Sequence, residues 1–97
     1  MNDRSRTPIL KAPSPRWTRE QIRNARVALL MPLLQKRGIQ LIPKEAGNFE
    51  VTAYPGLLLK ENYWRWPQRN LAGNTIDFFV KVLNLSFNDA MREIITL

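Results

Sequence analysis

Residues 63–87 read Tyr-Trp-Arg-Trp-Pro-Gln-Arg-Asn-Leu-Ala-Gly-Asn-Thr-Ile-Asp-Phe-Phe-Val-Lys-Val-Leu-Asn-Leu-Ser-Phe. The pattern predicts an aromatic strand, a polar loop containing glycine and a capped helix, with a second helix start at Ser86. Tyr63, Trp64 and Trp66 place three aromatics within four residues, with Arg65 and Arg69 interleaved. Aromatic rings offer stacking faces to bases, and guanidiniums offer phosphate contacts and cation–π partners. Aromatics are also ordinary strand formers, so alternate residues packing on a small core is the competing reading. Side chains alternate along a strand. Trp64 and Trp66 therefore share one face and Tyr63 and Arg65 the other, and since one face must pack, not every aromatic is free for a ligand.

Downstream, Asn74 is suited to cap a helix, with Asp77 three residues on completing a box-like start. Ile76, Phe79, Val80 and Leu83 form its apolar stripe, with Phe78 at the edge. Asn84 suits a left-handed C-cap. Ser86 caps a last helix with Asp89 three residues on and Leu85 and Ala90 as staple. Phe87, Ala90, Met91, Ile94 and Ile95 are expected to face the core.

Upstream, residues 1–16 contain Pro8, Pro13 and Pro15, scattered bases and no periodicity, which predicts a disordered or extended basic arm. Ile9 and Leu10 are its candidate docking anchors. The folded domain is expected over residues 17–97. Thr18 with Gln21 makes a capping-box start, and Trp17 with Ile22 is placed as a hydrophobic staple, a structural role. Ile22, Ala25, Leu29 and Leu30 would face the core. Arg19, Arg23 and Arg26 share another face, either a phosphate-contact ridge or simply a solvated one. Pro32 is tolerated only in a first helical turn, so the segment should break near Leu30 or Met31 and a short second helix run over 32–37, closed by Gly38.

Short strands follow. Ile39–Ile42 is the first. A turn at residues 45–48 leads to alternating Phe49, Val51 and Ala53, Pro55-Gly56 turns again, and residues 57–60 and 63–66 complete the set. The expected fold is α+β: a small antiparallel sheet of about four short strands, flanked by N-terminal and C-terminal helices. Pro67–Gly73 reads as a polar, flexible loop.

Ninety-seven residues suit one small domain with little room for a second, catalytic one. The chain has no Cys and no His, which removes thiol and imidazole chemistry, disulfides and the ordinary ligands of a structural zinc. Asp77 and Asp89 sit where carboxylates cap helices, neither they nor Glu50 and Glu93 have an evident catalytic partner, and no phosphate-cradling glycine motif occurs. No catalytic centre, metal or cofactor is expected. With neither a membrane-length apolar run nor a signal-peptide core, a cytoplasmic protein is the default expectation.

Net charge is +7, unevenly spread. Residues 1–26 hold seven basic against two acidic groups, a local +5, and the remaining seventy-one hold eight against six, +2. Ten of the fifteen bases are Arg, which favours planar, bidentate or stacked contacts. This balance suits a polyanion, nucleic acid before membrane.

The pieces Gly73-Asn74-Thr75-Ile76-Asp77-Phe78 and Asn84-Leu85-Ser86-Phe87-Asn88-Asp89-Ala90 bring a family into view. The run resembles the second half of the zinc-ribbon domain that opens bacterial DNA primases. There a Tyr-His-Cys-Phe-Gly-Cys-Gly-Ala-Gly-Gly-Asp-Val-Ile-Asp-Phe-type run leads into a Gly-Leu-Ser-Phe-x-x-Ala-type run. It is more similar to the zinc-less version in primase-like proteins of plasmids and other mobile elements, where an aromatic-rich run replaces the cysteines. The likeness covers residues 20–97 by order of elements and is specific over 63–91. The chain departs from it in Ala28, where an acidic helix-start residue is usual, and in Pro32.

Aligned on Gly73-Asn74, the second cysteine pair falls at Trp66 and Arg69 and the first near Ala53–Pro55, so packing must replace the metal. Trp66 filling that volume against the Tyr54-Pro55-Gly56 turn is the concrete expectation. What the resemblance implies is template binding: a non-catalytic module holding single-stranded DNA for priming or replication, with the polymerase, primase or helicase subunit supplied in trans. On physical grounds Lys60, Arg65, Arg69 and Asn70 are the expected phosphate contacts, Tyr63 or Trp64 the stacking residue, and Arg19, Arg23 and Arg26 sources of nonspecific affinity. The alternative is a protein-interaction subunit that docks on a replication polymerase or helicase through Ile9, Leu10 and exposed aromatics. No helix-turn-helix pair is evident, so a transcriptional regulator ranks last.

Overall fold

Thr18 starts the first helix as its sequence predicts. The Thr18 hydroxyl accepts from the Gln21 backbone N–H, and the Gln21 side chain accepts from the Thr18 N–H, in the computed structural model that describes residues 17–95. Helix α1 spans Arg19–Val27 and α2 spans Leu30–Lys36. The break falls at Ala28 and Leu29, both extended, two residues earlier than expected, so Pro32 sits in the first turn of α2, where its missing N–H costs nothing. Gly38 closes α2 at φ +79°. The Gly38 N–H bonds the Gln35 carbonyl and the Ile39 N–H bonds the Leu34 carbonyl, the paired pattern of a Schellman stop.

The sheet has five antiparallel strands in chain order: β1 Leu41–Pro43, β2 Phe49–Val51, β3 Leu58–Lys60, β4 Tyr63–Trp66 and β5 Leu71–Gly73. The fold is therefore α+β as expected, with one strand more. Residues 67–73 are not a simple loop. Pro67–Arg69 forms a 3-10 turn, Asn70 takes a left-handed backbone at φ 55°, and Leu71–Gly73 returns along β4 in register Trp66↔Leu71 and Trp64↔Gly73. A Leu-Ala-Gly tripeptide carries no strand signal of its own; the exposed hydrogen-bonding edge of β4 recruits it.

One face of the sheet is the core face. Leu59 opposes both Phe49 and Trp64, and Leu41 opposes Val51. These side chains join one apolar cluster with Ala25, Leu30 and Leu34 of the first two helices and Ile76, Phe78, Phe79, Ala90, Met91 and Ile94 of the last two. Trp64 and Phe78 meet edge to face at 5.6 Å.

Asn74 caps α3, Thr75–Asp77, with the reciprocal Asp77 bond expected of it. The helix then loosens into a π turn, Phe78–Val82. That extra residue rotates the stripe, so Phe78 is fully buried beside Phe79 instead of lying at the edge. Asn84 is left-handed at φ 64°, and the Ser86 hydroxyl accepts from the Asp89 N–H to start α4, Phe87–Ile95. Two residues expected in the core are outside it. Phe87, in the first turn of α4, is 43% exposed, and Leu29, in the α1–α2 break, is 55% exposed. Each lies at a helix boundary, where periodicity no longer sets direction.

Candidate nucleic-acid interface

The second face of the sheet carries no described helix. Register places Ile42, Glu50, Leu58, Arg65 and Ala72 in one row across all five strands on that side. Lys60 and Tyr63, directly opposed at the β3–β4 hairpin, extend it. Lys60, Tyr63 and Arg65 are exposed, Tyr63 by 55%. Opposed Cβ atoms in such a pair lie about 5 Å apart, and Arg65 follows Tyr63 on the same side by roughly 7 Å. An exposed aromatic ring thus stands between two cations, above the smaller apolar surface of Leu58 and Ala72. Neither Lys60 nor Arg65 pairs with a carboxylate among the described residues.

Glu50 is the acidic member of this row. Its carboxylate accepts from the Gly56 N–H at 3.0 Å and lies 3.3 Å from Lys44 Nζ. The Gly56 hydrogen bond first and Lys44 second hold its carboxyl below the usual carboxylate range, against a smaller desolvation effect. The charge at the centre of the face is thereby neutralised locally, and Arg65 is left as a cation. The sequence does not reveal Glu50, Leu58 and Ala72 as neighbours of Arg65, because alternation gives a face within one strand but cross-strand register needs the turns.

Trp64 does not belong to this site. Expected as a possible stacking residue, it is 0% exposed, and its indole N–H donates to the Asn74 carbonyl at 2.8 Å. Alternation put it on the core face, and the core needs its volume. Trp66, on the same side, is half-buried at the end of the sheet, 5.4 Å from the Tyr54 ring. Its N–H donates to the Pro55 carbonyl at 3.1 Å.

Arg69 stacks on the Trp66 ring at 5.1 Å. It therefore stands at this end of the sheet and not beside Arg65. Asn70 is exposed at the adjoining turn, and its left-handed backbone explains why Asn is there. Gly56 completes the cluster: any Cβ on it would collide with the Gln68 side chain, and its φ is +89°. Tyr54, Pro55, Gly56, Trp66, Gln68 and Arg69 thus pack together where the resemblance places zinc ligands. They do not fit a zinc ion: they present aromatic and amide groups, and among the described residues no three His, Cys, Asp or Glu side chains gather.

Arg19, Arg23 and Arg26 are exposed and border one shallow groove with Ile22. No described residue forms an ion pair with any of them. Trp17 is structural as expected, half-buried against the core with its indole N–H donating to Asn88 at 3.0 Å. Ile9 and Leu10, and the rest of the expected arm over 1–16, lie outside the described residues. Among those residues no helix is long and apolar enough to cross a membrane. Comparison of the chain with protein-family models, curated proteins and solved structures finds no match.

Proposed function

We propose that this chain is a non-catalytic single-stranded DNA-binding module, an accessory to priming or replication whose polymerising partner is supplied in trans. The observation that carries the reading is the open sheet face, with Tyr63 standing between Lys60 and Arg65. A ring on a flat surface stacks any base, and flanking cations take the phosphates on either side. The reading suits the primase-like resemblance, under which the Trp66 cluster would stand in for the zinc of the metal-bearing version. It suits a cytoplasmic protein of a mobile element.

Fluorescence anisotropy with labelled single-stranded and double-stranded oligonucleotides, over a salt series, tests it. The expected result is tighter binding of the single strand, weakened by Tyr63→Ala and Arg65→Ala in a folded protein. Removing one phosphate-binding cation should make the salt slope shallower by about 0.7. A folded protein that binds no oligonucleotide at low salt overturns the reading.

One observation favours the second reading, a protein-docking subunit for a replication polymerase or helicase. Val27 and Leu29 are 56% and 55% exposed, and Leu29 continues into a groove with Met31, Pro32 and Phe49 whose rim also carries Lys60 and Glu61. Co-purification of one stoichiometric replication protein, abolished by Leu29→Glu, would favour this second reading.

A further inference from the structure

We propose that the sheet-face site is one end of a continuous single-strand track that turns around the β3–β4 hairpin and continues along α1 through Arg26, Arg23 and Arg19. This rests on the reading of the sheet face as a single-strand site and adds its path and length.

The hairpin turn joins the two surfaces. Lys60 and Tyr63 flank the two turn residues Glu61 and Asn62. The Asn62 side-chain amide donates to the Arg26 carbonyl at 3.2 Å, and the Leu30 N–H donates to the Glu61 carbonyl at 2.9 Å. The last turn of α1 is therefore clipped to the residues between Lys60 and Tyr63, which brings Arg26 to the end of the sheet site. From Arg26 the same helix face carries Arg23 and Arg19 along a common groove with Ile22.

The charge pattern fits a polyanion along this whole course. Arg65, Lys60, Arg26, Arg23 and Arg19 make no ion pair among the described residues. The nearby acids are Glu20 in the first turn of α1 and Glu61 at the hairpin, both exposed, and Glu50 on the sheet face, whose carboxylate is held by the Gly56 N–H and Lys44. Val27, the last residue of α1, and Leu29, in the α1–α2 break, are exposed beside the hairpin and give bases an apolar contact at the bend. The seven helical steps from Arg19 to Arg26 span about 10 Å, and Tyr63 to Arg65 roughly 7 Å. With the corner between them, the track suits about four to six nucleotides, the low end for small single-strand modules. Because the sheet face and the helix layer look in different directions, the occupant must bend, which a single strand does readily and a short duplex does not.

A length series tests this with the full chain and labelled oligo-dT of three to ten nucleotides. Wild type should gain affinity up to about six nucleotides and then level off. A triple Arg19→Ala, Arg23→Ala, Arg26→Ala variant, which keeps good helix formers on α1, should bind the trimer as wild type does. On the octamer it should bind at least tenfold more weakly, with a salt slope shallower by about 2. An Arg→Gln triple variant repeats the test with a polar, uncharged side chain that keeps the three-carbon stem.

Equal weakening on trimer and octamer would show a diffuse field instead of a path, and no weakening on either would place α1 outside it; both overturn the track and leave the sheet site standing. Indifference of every length to Tyr63→Ala and Arg65→Ala, in folded protein, removes the sheet site and the track with it.

Discussion

The indole nitrogen of Trp66 donates to the carbonyl of Pro55 at 3.1 Å, joining the end of β4 to the turn between β2 and β3. Arg69 lies over the outer side of the same ring. Trp66 is thus an aromatic post, held by hydrophobic contact, a hydrogen bond and a cation–π pair. Small domains of this size have little stability to spare, so such a post matters.

Truncating it should show this directly. Trp66→Ala is expected to lower unfolding free energy by about 2–4 kcal/mol, near the lower range for large-to-small substitutions because the ring is half-buried. Trp66→Phe keeps an aromatic ring without the bond to Pro55, at a cost of about 1 kcal/mol. Urea titrations followed by circular dichroism measure both. A Trp66→Ala protein that stays as stable as wild type would show that the post is not structural.

Neighbouring residues on one strand should behave oppositely. Tyr63→Ala removes an exposed ring and should leave the melting temperature nearly unchanged while weakening single-strand binding by about 1–3 kcal/mol, the range for one stacked base. Trp64→Ala removes a fully buried ring and its bond to Asn74, and should destabilise by about 3–5 kcal/mol. Binding by Trp64→Ala, wherever it remains folded, should match wild type. Anisotropy and thermal melts on both variants separate the two roles.

Acid should weaken the open face through Glu50. Its folded carboxyl titrates below the ordinary glutamate value of 4.5 because the Gly56 N–H and Lys44 favour the charged form. The depressed value means that its stabilisation is present above pH 4.5 and disappears as pH falls through the lower folded value. Glu50→Gln should therefore melt below wild type at pH 7, with the gap closing below pH 4.5. A gap that stays constant from neutral pH to well below 4.5 would show that the carboxylate charge contributes nothing.

Gly73 is constrained by contact, not by backbone sign. A Cβ there would collide with the Asp77 carboxylate, which is fixed by its bond to the Asn74 N–H at 2.9 Å. Gly73→Ala must push Asp77 out of the cap and should cost about 1–2 kcal/mol, the value of a helix cap. Asp77→Gly removes the whole obstruction, its Cβ included, together with the cap, so adding Gly73→Ala to it should cost little more. Denaturant titrations of the two single variants and the double variant provide the test.

Local chemistry determined much of this protein. The starts of α1, α3 and α4 follow from Thr18, Asn74 and Ser86, the stop of α2 from Gly38, and the extent of β4 from its aromatic run, because each involves groups within about one helical turn or one strand. The sidedness of Tyr63 and Arg65 against Trp64 and Trp66 follows from alternation alone. The tertiary structure decided the rest. Leu71–Gly73 became a strand only because β4 offered an edge. Phe78 moved into the core only because the helix widened to a π turn over Phe78–Val82. Thr75, a buried polar residue, is tolerated because its hydroxyl donates to the Ala28 carbonyl at the end of α1, 47 residues away. The meeting of Arg26 with the Lys60–Tyr63 hairpin depends on a bond across 36 residues. Such contacts leave no periodic trace in a chain, since they are fixed by how finished elements pack and not by the residues beside them.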